Sequence, residues 1–397
     1  MGLTPLTSLL LAVVVLLVGT LVNRSVRLLS RYNIPDPITG GLLFAVTSSI
    51  VAAAVGWRPG IDQTLKPVLL LMFFAGVGMS ADLRLLKLGG KALAVFLLVL
   101  FPYILLQDTV GIGVAKLLDL HPIFGLVGGS ITLVGGHGTG AAYAERFAEV
   151  NNLQAVMELS MTVATIGLVL GGIVGGPVAE YLVRRHGLRA GAAAQTVSSA
   201  TGEAAAPITD VGVIGVLAGI LAAVIGGGWL GERFSGGAVT IPGFLWCMVL
   251  GVAIRNLAPF VRVRTDDRAA SLISGVSLSL FLVMTMMALD LVEVARSAGP
   301  FVIMIVAQAV VMVVYAIYVC FRFMGRDYEA ATTSAAFIGF NMGSTATAMA
   351  NMQAITAKYG PAPTSHLIVP LAGAFFIDLM NAFVLTLLLA LPFMGGG

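Results

Sequence analysis

Asp378 lies in the middle of PLAGAFFIDLMNAF, a stretch otherwise made of apolar and small residues, and no lysine or arginine follows Lys358 in the chain. An ionised carboxylate at the centre of a bilayer costs at least about 2.5 kcal/mol unless it is paired. Asp378 therefore calls for an ammonium group or a bound cation, or else is a protonated or hydroxyl-bonded structural residue. Asn381, one turn on, adds an amide to the same face. Two further stretches are polar without being charged: residues 128–142 read GGSITLVGGHGTGAA and residues 339–351 read GFNMGSTATAMAN. A glycine-rich turn that opens a helix leaves free N–H groups aimed at one spot, where the macrodipole favours an anion. Gly138, Thr139 and Gly140 precede the Ala-rich run AAYAERF, and Gly343, Ser344 and Thr345 precede ATAMANMQAIT. Each stretch thus offers an N-cap hydroxyl together with backbone that a ligand can approach closely. Gly136, His137, Asn341 and Asn351 complete the candidate anion-binding set, with polarity that close helix packing alone does not require. For GLVLGGIVGG, from Gly167 to Gly176, packing is the preferred reading.

Oxygen ligands for a hard cation such as sodium are offered by Ser130, Thr132, Glu158, Thr162, Asp378 and Asn381. Glu158 stands equally well at a membrane interface, and Thr162 and Thr165 bond equally well back to their own helix. A lone His137 with no second His or Cys at ligand spacing is no metal signature. It reads as a hydrogen-bonding residue, with a pH-sensing role open.

The elements that must position these groups are membrane spans. Of 397 residues 58% are hydrophobic and only 10% charged, and the mean hydropathy is +1.00, values outside the range of soluble domains. Apolar runs of membrane-crossing length are expected near 3–22, 38–56, 67–81, 92–107 and 153–182, then 211–230, 240–254, 270–289, 299–320 and 365–393. The opening run lacks a basic region before it and a small-residue cleavage site after it, so it reads as a retained span. Cys247 and Cys320 fall inside spans and read as packing residues. Lipid leaves irregular backbone without partners, so the two Gly-rich stretches must line a protein-enclosed cavity. They are expected as re-entrant hairpins, the first between Pro122 and Glu145 and the second between Ala330 and Lys358.

Loop charge fixes an orientation. Arg58, Lys66, Lys116, Arg146, Arg233 and Arg296 fall on one face and the other sixteen of the 22 Lys and Arg on the opposite one. The richer face is cytoplasmic, which puts both termini outside. Five spans per half is odd, so the halves insert in opposite senses. FFAGVGMSADL (Phe73 to Leu83) aligns with FLVMTMMALDL (Phe281 to Leu291), Gly138-Thr139 with Gly343-Ser344, and Ile34-Pro35 with Ile241-Pro242. The expected architecture is an all-α polytopic membrane protein of ten helices in two inverted five-helix repeats. Residues 1–183 form the first repeat, 184–210 a cytoplasmic linker, and 211–397 the second. Asp82 and Asp290 read as interfacial or capping residues, and Arg31 and Asp36 as solvated loop charges. The net charge of +3 is spent on orientation and points to no nucleic-acid partner.

GGSITLVGGHGTGAA, FIGFNMGSTATAMANMQAIT and VPLAGAFFIDLMNAF resemble the signature segments of the bacterial sodium/glutamate symporters, as do IPDPITGGLL near the start and GLVLGGIVGGPVA before the linker. The resemblance weakens over residues 186–240. It implies secondary active transport of L-glutamate with sodium as the coupling ion and no other cofactor. It also implies a homodimer in the bacterial inner membrane, with a core domain moving elevator-fashion against a scaffold. Symport of another small carboxylate stays open. An intramembrane enzyme would need a nucleophile with a base or a metal centre, and the chain has neither HExxH nor GxGD. An anion channel would call for a repeated pore motif in place of two inequivalent hairpins.

Overall fold

The computed structural model describes residues 2–26, 29, 34–56, 59–150, 156–190, 209–234, 242–261, 265–288, 291–391 and 394. Asp290, Arg31, Ile241 and most of the linker, residues 191–208, lie outside them. In chain order the helices are α1 (Pro5–Ser25), α2 (Asp36–Val55), α3 (Lys66–Met79), α4 (Leu86–Leu117), α5 (Pro122–Leu126), α6 (Gly136–Val150), α7 (Val156–His186) and α8 (Asp210–Arg233). They continue with α9 (Gly243–Leu257), α10 (Asp267–Met287), α11 (Leu291–Tyr315), α12 (Tyr328–Met342), α13 (Thr345–Tyr359), α14 (Pro363–Leu371) and α15 (Ile377–Leu389). Eight of them, α1, α2, α4 and α7 to α11, are long and apolar enough to cross a membrane; α3, α5 with its following turn, and α15 are shorter apolar helices. The protein is a multi-pass membrane protein. Leu6, Leu10, Leu17 and Leu21 along α1, and Ile214, Ile225 and Trp229 along α8, are exposed, as residues that face lipid are.

The chain forms two compact units, each drawn from both halves of the sequence: residues 1–82 with 208–297, and residues 83–207 with 298–397. In the first unit α2 packs on α1 and α10, and α9 packs on α8 and α3. Without a hydrophobic force between helices in lipid, close approach at small residues supplies the packing. Gly19 of α1 lies against Gly40 of α2, Gly41 of α2 against Met286 of α10, Gly78 of α3 against Met248 of α9, and Gly227 of α8 against Cys247 of α9. Polar groups staple the helix ends. Asp36, expected as a solvated charge, accepts from Thr20 (2.8 Å) and Asn23 (2.6 Å) and so ties the start of α2 to α1. Asp82 is the partner of Arg255 at 3.1 Å, and Arg255 also pairs with Asp267 at 2.9 Å, joining the ends of α3, α9 and α10.

The second unit holds the polar centre. Its core is aromatic: Phe337 of α12 packs edge-on against Tyr103 (5.3 Å) and stacks on Tyr315 (5.7 Å), whose hydroxyl donates to the carbonyl of Val99. α4 is the largest departure from the sequence expectation. The span expected at 92–107 runs on to Leu117, from a bend at Gly90 (φ 51°) past Pro102. It stops only at the Leu118–Asp119 turn, where Asp119 takes φ 55°. Two helix–turn–helix hairpins, Pro122–Val150 and Tyr328–Tyr359, complete the unit with α7, α11 and the α14–α15 rod.

Candidate functional site

The tips of the two hairpins meet. Gly136, which opens α6 with φ 63°, has the carbonyl of Gly343 as its nearest neighbour, 3.6 Å from where a β-carbon would stand. Both tips rest on the middle of α7: Leu133 and Met342 lie against Gly167, Met342 against Gly171, and Gly343 against Leu168. Glycines 167 and 171 are thus the floor that lets the tips approach, Gly175 lies against Asn351 and the Ala335 carbonyl in the arms of the second hairpin, and Gly176, one position round the helix, faces open space. α6 and α13 both begin at this meeting point, so two positive helix ends share one spot. Ser344 caps α13, its hydroxyl accepting from the N–H of Thr347 at 3.3 Å. In the first hairpin the turn comes earlier than expected: α6 starts at Gly136, so Thr139 lies in its first turn and is not its N-cap. The Thr139 N–H donates to the carbonyl of Gly135 at 3.3 Å.

Asp378 belongs to the rod that runs between the hairpins. α14 passes through a π-type turn, Ala372–Phe376, in which the Ile377 N–H reaches back five residues to the carbonyl of Ala372. Within that turn the carbonyl of Gly373 accepts from Thr345 of the second hairpin at 3.4 Å. Eight residues on, Asn381 donates to the carbonyl of Ser130 of the first hairpin at 3.1 Å. Asp378 stands between these two contacts and makes no hydrogen bond or ion pair among the described residues. A second π-type turn, Val127–Ile131, breaks the incoming arm of the first hairpin, with Gly129 at ψ −133°. Such turns recur at functional sites because they free backbone groups and re-aim side chains.

The other candidate residues fall into place as follows. His137 pairs with Thr165 of α7 at 3.0 Å, which pins the first hairpin to that helix, and Thr165 also bonds back to Met161. Asn341 gives its N–H to the carbonyl of Phe337. Asn351 spends its amide on the carbonyls of Gly171 (2.9 Å) and Ala335 (3.1 Å), so it ties α13 to α7 and α12. Gly138 and Gly140 are buried in α6, Gly140 against Thr132 and Ser160. Of the cation-ligand candidates, Ser130 and Asn381 are brought together. Thr132 bonds back to Val127 and Thr162 to Glu158 within their own helices, and Glu158 is half-buried near the start of α7.

Sequence reasoning passed over Asp108. It is fully buried on α4, where its two oxygens accept from the N–H (2.8 Å) and the hydroxyl (2.9 Å) of Ser130. Its neighbour Gln107 donates to the carbonyl of Asn341 at 2.9 Å, and Gln308 of α11 donates to that of Gln107 at 2.8 Å. The amide oxygens of Gln107, Gln308, Asn341 and Asn381 are buried without a hydrogen-bond partner among the described residues, as is the hydroxyl of Ser160. The centre of this unit is therefore rich in acceptors and poor in donors, apart from the two helix N-termini.

A multi-pass membrane protein that brings two helix N-termini together where hairpins meet, with an aspartate on the rod that touches both hairpins, is built to hold a charged solute within the bilayer; it is a transporter. The chain belongs to the sodium/glutamate symporter family, whose profile matches residues 1–361. It is 41% identical to the sodium/glutamate symporter of Escherichia coli (strain K12) over 395 residues, 98% of each chain. With that of Haemophilus influenzae it shares 39% identity over 381 residues, 94% of each chain. The sodium proton antiporter MjNhaP1 of Methanocaldococcus jannaschii matches more loosely, with a TM-score of 0.43 and 15% identity over 98% of this chain and 99% of that one.

Proposed function

We propose that the protein imports L-glutamate across the bacterial inner membrane, coupled to sodium, by alternating access. The observation that carries this reading is the meeting of the two hairpin tips beside Asp378. Glutamate brings two carboxylates and one ammonium. The stretches from 92 to 115, 117 to 145, 327 to 357 and 359 to 397 contain no lysine or arginine, so the carboxylates must find N–H groups instead. The starts of α6 and α13 supply two such sets, and Asp378 between the hairpins answers the ammonium. The substrate carries net negative charge into a site already acidic, which gives sodium its role: entry is favourable only with a cation alongside.

The same reading takes the two halves as inverted repeats in a ten-span chain. The glycine contacts of the first unit support this, because they come in matched pairs: Gly19–Gly40 with Gly227–Cys247, and Gly41–Met286 with Met248–Gly78. Gly19 and Gly227 differ by 208 positions, Gly40 and Cys247 by 207, Gly41 and Met248 by 207, and Gly78 and Met286 by 208, against 208 from Phe73 to Phe281. The unit without hairpins is the scaffold and dimerises, and the unit with both hairpins is the moving core. Radiolabelled glutamate uptake into proteoliposomes tests the function. Accumulation is expected with an inward sodium gradient and none with sodium equal on both sides. Equal accumulation driven by a proton gradient without sodium would overturn the coupling.

A further inference from the structure

We propose that Asp108, Ser130 and Asn381 form the seat of a sodium ion, and that this ion fastens the first hairpin to α4 and α15. The inference deepens the sodium-coupled reading above, which leaves the ion's place unassigned. Asp108 is wholly buried, and both its oxygens are turned to one residue, Ser130. Two neutral donors do not balance a buried charge, and Asp108 has no ion pair among the described residues. Ser130 in turn receives Asn381, whose side chain is 1% exposed and whose Oδ1 is left with no donor. Asp108 on the N–H and hydroxyl of Ser130 and Asn381 on its carbonyl thus meet at one residue, with the amide oxygen of Asn381 left over. A proton on Asp108 would settle its charge but leave Asn381 Oδ1 unsatisfied. A hard cation beside Ser130 answers both the charge of Asp108 and the orphaned oxygen of Asn381.

The backbone is shaped for this. Gly111 and Gly125 let α4 and α5 touch main chain to main chain. At Gly129 a β-carbon would stand 2.8 Å from Asp108 Oδ1, so only glycine lets the carboxylate reach the Ser130 N–H. Asn381 lies one turn from Asp378 on α15. An ion at Ser130 therefore fixes the helix that presents Asp378 and the arm that carries the first tip, and substrate meets a completed site only after the ion has bound.

The test uses the purified full-length protein without glutamate. The unfolding temperature of the wild type is followed as sodium replaces choline at constant ionic strength, alongside hydrogen exchange of the same samples. Sodium is expected to raise the midpoint and to slow exchange at residues 127–132 and 377–382. In Asp108→Asn, which keeps an acceptor for Ser130, the sodium concentration giving half the rise should increase at least tenfold. A wild-type sodium response in Asp108→Asn overturns the proposal. So does sodium protection confined to other segments of the wild type, a readout that stands even where the variant does not fold. Because glutamate is absent, failure here leaves the uptake result standing, and failure of uptake coupling leaves a measured sodium response at Ser130 intact.

Discussion

Replacing Asp378 by asparagine keeps the shape of the side chain and removes its charge. If Asp378 answers the substrate ammonium, Asp378→Asn should abolish sodium-driven glutamate uptake while expression and unfolding temperature stay near wild type, since a neutral amide is easier to bury than an unpaired carboxylate. Uptake near the wild-type rate in the same vesicles would return Asp378 to a structural role. This residue was legible because a charge inside a long apolar run stands out in any reading of the sequence. Asp108 was not, for a physical reason: Gln107 and Asp108 end the first strongly apolar stretch of α4 and so mimic the end of a span. The run TVGIGVAKLL that follows is apolar apart from Thr109 and Lys116 and has no Pro, Asn, Asp or Ser before Asp119, and that was the signal that the helix goes on. Both polar side chains then point at hairpin backbone, which no one-dimensional pattern reveals. Asn351 shows the converse. Its polarity in a glycine-rich segment suggested ligand contact, yet both of its bonds go to carbonyls of α7 and α12. Asn351→Ala should therefore lower stability by about 1–3 kcal/mol, the usual penalty for leaving buried groups unpaired. Thermal unfolding with and without glutamate checks this: the loss should appear in both, and glutamate affinity measured on the folded protein should change less than about threefold.

Among the elements, α7 carries the sharpest consequence of glycine placement. Gly175 lies against Asn351 and the carbonyl of Ala335, whereas Gly176 meets nothing. Both are in regular helix, where alanine is favoured over glycine by roughly 0.5–1 kcal/mol. Gly176→Ala should thus be neutral or slightly stabilising. Gly175→Ala gains the same propensity but drives a methyl into backbone and amide, and overpacking of this kind costs typically about 1–3 kcal/mol. A lower unfolding temperature for Gly175→Ala and none for Gly176→Ala is the expected pair of results; equal behaviour would mean that the second hairpin does not sit on α7 as described. The hairpins were legible as elements, since Gly, Ser and Thr clustered in a membrane chain must be enclosed. The turn itself was misplaced in the first one. A positive φ at Gly136 opens α6 two residues before the Gly138–Thr139 pair that looked like its cap.

For the whole molecule, loop charge proposes an orientation, and contacts at helix ends bring together residues that it assigns to one face. Lys358 at the base of the second hairpin pairs with Glu180 at 2.8 Å, beside Arg184, so two residues assigned to the cytoplasmic face share one end of the second unit. In the first unit Arg255 joins Asp82 and Asp267 at one end, while Gly2 bridges to Gly60 and Ser8 accepts from the Asp62 N–H at 2.9 Å, shortly before α3 begins at Lys66. These groupings follow if the sixteen basic residues mark the cytoplasmic side and the N-terminus lies with the six. A single cysteine is placed at Gly2, Arg189 or Gly397 in a chain whose own Cys247 and Cys320 are replaced by serine or alanine. Intact cells are then treated with a membrane-impermeant maleimide, with disrupted cells as the reference for full reaction. Cysteines at 2 and 397 should react in intact cells, and the one at 189 only after disruption. An odd number of crossings would put the termini on opposite sides and label only one of them, and that would break the inverted repeat as well as the topology, because two halves with equal numbers of spans always give an even total. Reaction at 189 alone would instead keep the repeat and turn the whole molecule over, leaving the first hairpin to open toward the cytoplasm.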